Sequence, residues 1–190
     1  MRYAFIMRGI PGSGKSTVAS MLRQAFIDDE NPAGNYVVHS TDDLCMVDGE
    51  YLFDAALAGE RHAQNLLNFK KSCAAGVSCV IVDNTNVKTE QYLPYLKVAE
   101  DAGYRVVIME LPHPAPIVAA QRNKHGVPLE VITQMIMDWE PSQHCVTVAK
   151  VEKAAEIVRK IQIMTKTAIL LGFVAGVFFG AFCVTVLWLL

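Results

Sequence analysis

The chain lacks paired cysteines. Cys45, Cys73, Cys79, Cys145 and Cys183 never stand at the Cys-x-x-Cys spacing of a zinc or redox motif. Their scatter argues for reduced thiols in a cytosolic protein and against a zinc site or a disulfide frame. A charge excess is missing too: 17 Lys and Arg oppose 19 Asp and Glu, for a formal net charge of −2. No global field therefore draws the protein to nucleic acid, although a local basic groove is compatible with that balance. Internal repeats and low-complexity stretches are absent. The longest absence is of charge itself, which is missing from the last 24 residues, TAILLGFVAGVFFGAFCVTVLWLL, positions 167–190.

A helix rising about 1.5 Å per residue needs roughly 20 apolar residues to cross a bilayer core. The run at 167–190 meets that length and predicts a single transmembrane helix. Its place predicts a C-terminal tail anchor, and Lys150, Lys153, Arg159, Lys160 and Lys166 before it put residues 1–166 on the cytosolic side. Gly172, Gly176 and Gly180 recur every fourth residue. That spacing lines one side of the span and fits either a homodimer packed in the membrane or a monomeric anchor.

What is present ahead of the tail alternates between apolar runs and helical patterns. RYAFIMRGIPGSGKSTVASMLRQAF reads as strand, loop, helix, and a second apolar run follows at 36–38. A helix from Ala55 to about Ala75 stops at Gly76, and VSCVIVDNTN reads as a strand buried on both faces. Thr89 is expected to cap a third helix closed by Gly103, and YRVVIME supplies another strand. HPAP breaks the chain before a short helix ending at Gly126. Pro128 opens a further helix, with Leu129, Ile132, Met135, Ile136 and Trp139 at core spacing. The alternation predicts an α/β domain: a three-layer sandwich of P-loop kinase type, with a mostly parallel sheet of four or five strands and a helical lid. Its expected limits are 1–145, followed by an amphipathic linker at 146–166 and the tail at 167–190. CVTVA, at 145–149, fits either the start of that linker or a last edge strand.

Gly9-Ile-Pro-Gly-Ser-Gly-Lys-Ser matches G-x-x-x-x-G-K-[ST] between a strand and a helix. Glycines let the backbone approach, so successive N–H groups at a helix N-terminus can surround nucleotide phosphates. Gly9, Pro11, Gly12, Ser13, Gly14, Lys15, Ser16 and Thr17 are the expected ATP cradle. Lys15 reaches the β- and γ-phosphates, and the Ser16 hydroxyl holds Mg²⁺. An acidic residue at a neighbouring strand end should act on that metal, and Asp83 is the candidate.

Transfer also needs a base and a cation on the moving phosphoryl group. STDD, at 40–43, falls where a parallel strand reaches the ligand edge of a sheet, so Asp42 or Asp43 can take a proton from an acceptor hydroxyl. The same residues form an N-cap sequence, with Ser40 or Thr41 starting a short helix. Arg122, Asn123, Lys124 and His125 form a compact basic cluster, and Arg122 is the candidate γ-phosphate contact.

GIPGSGKST, then STDD, then IVDNTN, then RN followed by a Val-Pro turn resembles the polynucleotide-kinase-like branch of P-loop kinases, an ATP-binding group of the AAA_33 type. The resemblance covers about residues 3–140 and leaves the apolar tail outside. It is nearer still to P-loop proteins related to the kinase domain of a ubiquitin-ligase-binding protein. The resemblance implies that Lys15 and Ser16 bind ATP and Mg²⁺, that Asp42 is the general base and that Arg122 is the lid arginine. It implies for Asn84 the place of a substrate-positioning acid. One position departs: Cys45 stands three residues after Asp42, where the phage enzymes carry an arginine that contacts the acceptor's phosphate. The expected activity is transfer of the ATP γ-phosphate to a hydroxyl of a nucleic acid, nucleotide or small metabolite. The second reading is a membrane-tethered ATP-binding switch without chemistry.

Overall fold

A computed structural model describes residues 2–25, 35–142 and 145–147. Five strands, β1 (Tyr3–Arg8), β2 (Tyr36–His39), β5 (Cys79–Val82), β6 (Arg105–Glu110) and β7 (Cys145–Thr147), form one sheet in the order β2-β5-β1-β6-β7. Every pairing in it is parallel. An antiparallel hairpin, β3 (Met46–Val47) and β4 (Glu50–Tyr51), stands apart from the sheet. The helices are α1 (Lys15–Ala25), α2 (Ala58–Ala74), α3 (Thr89–Asp101), α4 (Pro116–Arg122) and α5 (Leu129–Met137).

The apolar runs account for the sheet. All four residues of β5 are buried, as a strand covered on both faces requires. Helical spacing places Phe69 and Cys73 of α2 and Tyr92, Tyr95 and Ala99 of α3 inward, where they share a core with Ala4, Ile6, Val80 and Val82. Burying a side chain such as Phe69 contributes about 1.5–3 kcal/mol. Gly76 (φ +72°) and Gly103 (φ +74°) follow α2 and α3 in the left-handed conformation of a helix C′ residue.

Strand β1 sits centrally. The chain goes from it to β2 and β5 on one side and then crosses to β6 on the other, which opens a crevice beyond its carboxyl end. The loops that follow β1, β2 and β5 carry the phosphate-loop motif, STDD and DNTN, so topology alone gathers all three.

Three local expectations change, and one alternative left open is settled. Thr89 is the first residue of α3 rather than its cap: Lys88 precedes it and its N–H bonds the Gln91 side chain, while Thr89 N–H goes to Glu140 Oε2 at 2.7 Å. The helix expected to reach Gly126 ends at Arg122, because the Asn123 side chain takes the Val127 N–H (2.7 Å) and gives its own N–H to Ala120 O (2.7 Å), closing a turn. Leu129 is exposed, leaving Ile132 as the buried anchor of α5. CVTVA contributes strand β7, which settles its alternatives at Cys145–Thr147 in favour of an edge strand. Among the described residues no helix is long and apolar enough to cross a membrane. The expected span at 167–190, its glycine stripe and most of the linker at 146–166 lie outside those residues.

Candidate functional site

A cleft of about 800 Å³ opens beyond the carboxyl ends of β1, β2 and β5. Lys15, Ser16, Asp42, Asp83 and Arg122 all line it. The structure therefore brings together five residues that the sequence spreads over more than a hundred positions.

The floor is the loop between β1 and α1. Gly12 and Gly14 have φ of +76° and +94°, which side-chain-bearing residues rarely adopt. Gly12 also needs its missing Cβ for space, since a methyl there would lie 2.2 Å from Ala119 O of α4. Gly9 differs from the other cradle positions because it is buried beneath the loop and does not line the cleft. Its N–H bonds Thr85 O at 2.9 Å, and a Cβ on it would strike Ser13 Oγ. Gly9 thus shapes the cradle from behind. Ser13 Oγ faces this crowded turn buried and without a hydrogen-bond partner among the described residues.

Lys15 donates to Ile10 O at 3.1 Å, which holds its ammonium across the loop. Burial lowers its pKa, and the charges of Asp83 and Asp42 pull it back up. The Asp83 carboxyl is raised mainly by burial, against a hydrogen bond from Ser16 and the charge of Lys15. Ser16 and Asp83 thus present two hard oxygen donors in contact beside a cation. That set fits Mg²⁺, which takes one or two protein oxygens and completes its shell with water and phosphate. Among the described residues no three His, Cys, Asp or Glu side chains gather into a metal cage.

DNTN works as a clamp. Asp83 reaches Ser16, Asn84 Oδ1 accepts the Thr41 N–H at 2.9 Å, Thr85 O takes Gly9 N–H, and Asn86 donates to Met7 O at 2.8 Å. Asn84, implied by resemblance as a substrate-positioning group, is buried and holds the turn that carries Asp42. The Ser40 hydroxyl accepts the Asp42 N–H at 3.2 Å, and Asp42–Cys45 form a single 3-10 turn with Thr41 at its N-cap.

The Asp42 carboxylate is held from two sides. Tyr51 donates its phenol to Oδ1 at 3.1 Å, and His125 Nε2 lies 3.4 Å from Oδ2. The Tyr51 and His125 rings also pack together, centroids 4.2 Å apart. Asp43 is exposed and lines only a smaller recess beside Ser16 and Asp83. Burial of its carboxyl and then the charges of Asp42 and Asp83 raise its pKa. Arg122 is exposed at the end of α4 and lines the cleft.

Sequence reasoning missed Tyr51, His125 as a partner of Asp42, and Arg61 with His62 on α2. The hairpin that presents Tyr51 did have a signal. Asp48-Gly49 is a hairpin-turn dipeptide, and both residues take positive φ (52° and 88°). Arg61 and His62 had none, because nothing in the spacing of α2 tells a cleft-facing charge from a solvated one.

The family model AAA_33, an AAA domain, matches residues 5–141. Human NEDD4-binding protein 2 is 36% identical over 139 residues, covering 71% of this chain and 7% of that protein. Rat YLP motif-containing protein 1 is 27% identical over 158 residues, covering 73% and 11%. The chain therefore spans about a tenth or less of these relatives' length. Among solved structures, one in the Pnkp1/Rnl/Hen1 RNA repair complex superposes with a TM-score of 0.54 at 18% identity, over 72% of this chain and 43% of that one. This last likeness is one of fold. With a phosphate loop, a clamped DNTN strand end and a family model that spans the whole cleft-bearing region, the chain belongs to the AAA_33 family of P-loop domains.

Proposed function

We propose that this protein is an ATP-dependent phosphotransferase that moves the γ-phosphate of ATP to a hydroxyl acceptor. The observation that carries the reading is the oriented Asp42 carboxylate, fixed by Tyr51 and His125 in the same cleft as Lys15, Ser16, Asp83 and Arg122. A nucleotide switch needs the phosphate loop and the metal ligands. It has no use for a carboxylate held on the acceptor side.

In the proposed reaction the phosphate-loop N–H groups and Lys15 hold the β- and γ-phosphates. Ser16 and Asp83 hold Mg²⁺, which neutralises phosphate charge when bound. Asp42 accepts the proton of the acceptor hydroxyl as its oxygen bonds to the γ-phosphorus, and the bond to the β-phosphate oxygen breaks to release ADP. Arg122 supplies a forked guanidinium to the charge on the moving group. Such a base contributes roughly 10²–10⁴ in rate.

His125 sits on the turn at 123–127, closed by Asn123, and the Asp42 side chain stays 49% exposed beside it, open to an acceptor hydroxyl. The uncharged run at 167–190 supports attachment to a membrane with the catalytic domain on the cytosolic face, and Gly172, Gly176 and Gly180 support pairing of two such spans.

Incubation of the full chain in detergent with γ-labelled ATP and a panel of 5′-hydroxyl oligonucleotides, nucleosides and small alcohols tests the proposal. Label in an acceptor, lost in Lys15→Ala, is the expected result. ATP binding with no acceptor labelled favours the switch.

A further inference from the structure

We propose that Arg61 forms a second anion subsite on the acceptor side of the cleft, and that the hydroxyl acceptor carries a phosphate of its own. The inference rests on the phosphotransfer reading and specifies its substrate.

Arg61 projects from the first turn of α2 into the cleft that holds Asp42. Its Nη1 donates to Cys45 Sγ at 3.3 Å and to Leu52 O at 3.1 Å. These two anchors aim the guanidinium without neutralising it. Among the described residues Arg61 forms no ion pair, whereas the fully buried Arg8 is matched by Glu110 at 3.0 Å. A half-buried guanidinium that is oriented by a thiol and a carbonyl and left without a carboxylate is prepared for an external anion. Its remaining N–H donors match the paired oxygens of a phosphate.

The distance to the reacting group is set by a short relay. Cys45 belongs to the same 3-10 turn as Asp42, and Tyr51, which hydrogen-bonds Asp42, lies beside the Cys45 thiol. Arg61, Cys45, Tyr51 and Asp42 are therefore consecutive contacts along one wall. An acceptor whose hydroxyl meets Asp42 puts a neighbouring phosphate against Arg61. Cys45 lacks a charge to hold such a phosphate, and it is buried at 2% exposure, so its role in this wall is to seat the arginine. His62 sits next to Arg61, its Nδ1 3.2 Å from Thr41 Oγ1. Beyond it Phe53 is 65% exposed at the cleft mouth and offers an aromatic face to the rest of the acceptor.

The test separates the subsite from the reaction. The phosphate loop is filled with Mg²⁺ and a non-hydrolysable ATP analogue, and binding of glycerol 3-phosphate and a 3′-phosphorylated nucleoside is compared with that of glycerol and the unphosphorylated nucleoside. The wild-type chain is expected to prefer the phosphorylated member of each pair by roughly tenfold to a hundredfold, the worth of a charge-assisted hydrogen bond. Arg61→Ala should erase that preference and leave affinity for the ATP analogue unchanged. Arg61→Gln, which keeps a donor for Leu52 O and so guards the local fold, should erase it as well, and Arg61→Lys should keep part of it. A wild-type chain without the preference, or an Arg61→Gln variant that retains it, overturns the inference. Labelling of the same probes from ATP is scored separately. A preference that depends on Arg61 with no label transferred upholds the subsite and removes the phosphotransfer reading. Label passed equally to both members of each pair does the reverse.

Discussion

The two walls of the cleft are built in different ways. The nucleotide wall is mostly backbone: one contiguous stretch, Gly9 to Ser16, folded by glycines that occupy positive φ or tight contacts. The opposite wall, where the proposed acceptor binds, is mostly side chain. It assembles Asp42 from a 3-10 turn, Tyr51 from a hairpin, Arg61 from α2 and His125 from the lid. A backbone site needs a fixed order of residue types and therefore reads as a motif. A side-chain site can be filled from any element that reaches it, so the first wall is fixed by chemistry common to many nucleotide-binding proteins while the second is free to diverge with the acceptor.

Substitutions on the two walls should separate accordingly. The largest effect is expected from Lys15→Ala, which removes the half-buried cation from the nucleotide wall. Transfer should fall by roughly 10²–10³, in line with loss of a preorganised electrostatic contact, and steady-state rates with saturating acceptor measure it. Next is Gly12→Ala. It combines a positive φ with a contact of 2.2 Å to Ala119 O, and should destabilise the domain by about 2–4 kcal/mol in chemical denaturation. An equally disruptive result from Gly14→Ala would break the distinction, because no atom lies within 4 Å of a Cβ there and only φ opposes it.

A smaller change is expected from Tyr51→Phe on the acceptor wall. The ring stays and the bond to Asp42 goes, so kcat should fall by roughly tenfold while affinity for ATP is unchanged. A matching loss of ATP affinity would mean that the two walls are one unit.

The smallest expected effect is on pH dependence. Burial raises the Asp83 carboxyl above the usual carboxylate range, so on acidification Asp83 takes up a proton at a higher pH than an exposed carboxylate does. Metal binding needs the ionised form, and Mg²⁺-dependent nucleotide affinity should fall as pH drops through that raised value. Asp83→Asn should abolish the Mg²⁺ dependence and flatten the profile. The stability term has the opposite sign. Ionised Asp83 costs the fold stability above its raised pKa, and that cost is relieved as pH falls toward 3.8.

Legibility followed the same division. The parallel α/β order, the helix stops at Gly76 and Gly103 and the gathering of three loops at one sheet edge all came from period and punctuation. The pair Asp42 and Asp43 could be singled out because it follows a strand, and the family resemblance chose Asp42 between them. Tyr51 could not, since its hairpin stands outside the main sheet and only the Asp48-Gly49 dipeptide hints at it. Arg8 shows the same limit in the core. It is wholly buried between the Tyr92 and Trp139 rings (4.7 and 4.5 Å), paired with Glu110, and bonded to Asn86 O, Val87 O and Glu140 O. Each partner lies some 80 to 130 positions along the chain, a separation that no local pattern records.

The most direct test of the central claim is the rate of acceptor-dependent ADP formation by Asp42→Asn, measured beside its affinity for ATP. If Asp42 is the base, ATP affinity is unchanged and the rate falls by roughly a hundredfold or more. Wild-type turnover by Asp42→Asn would contradict the account.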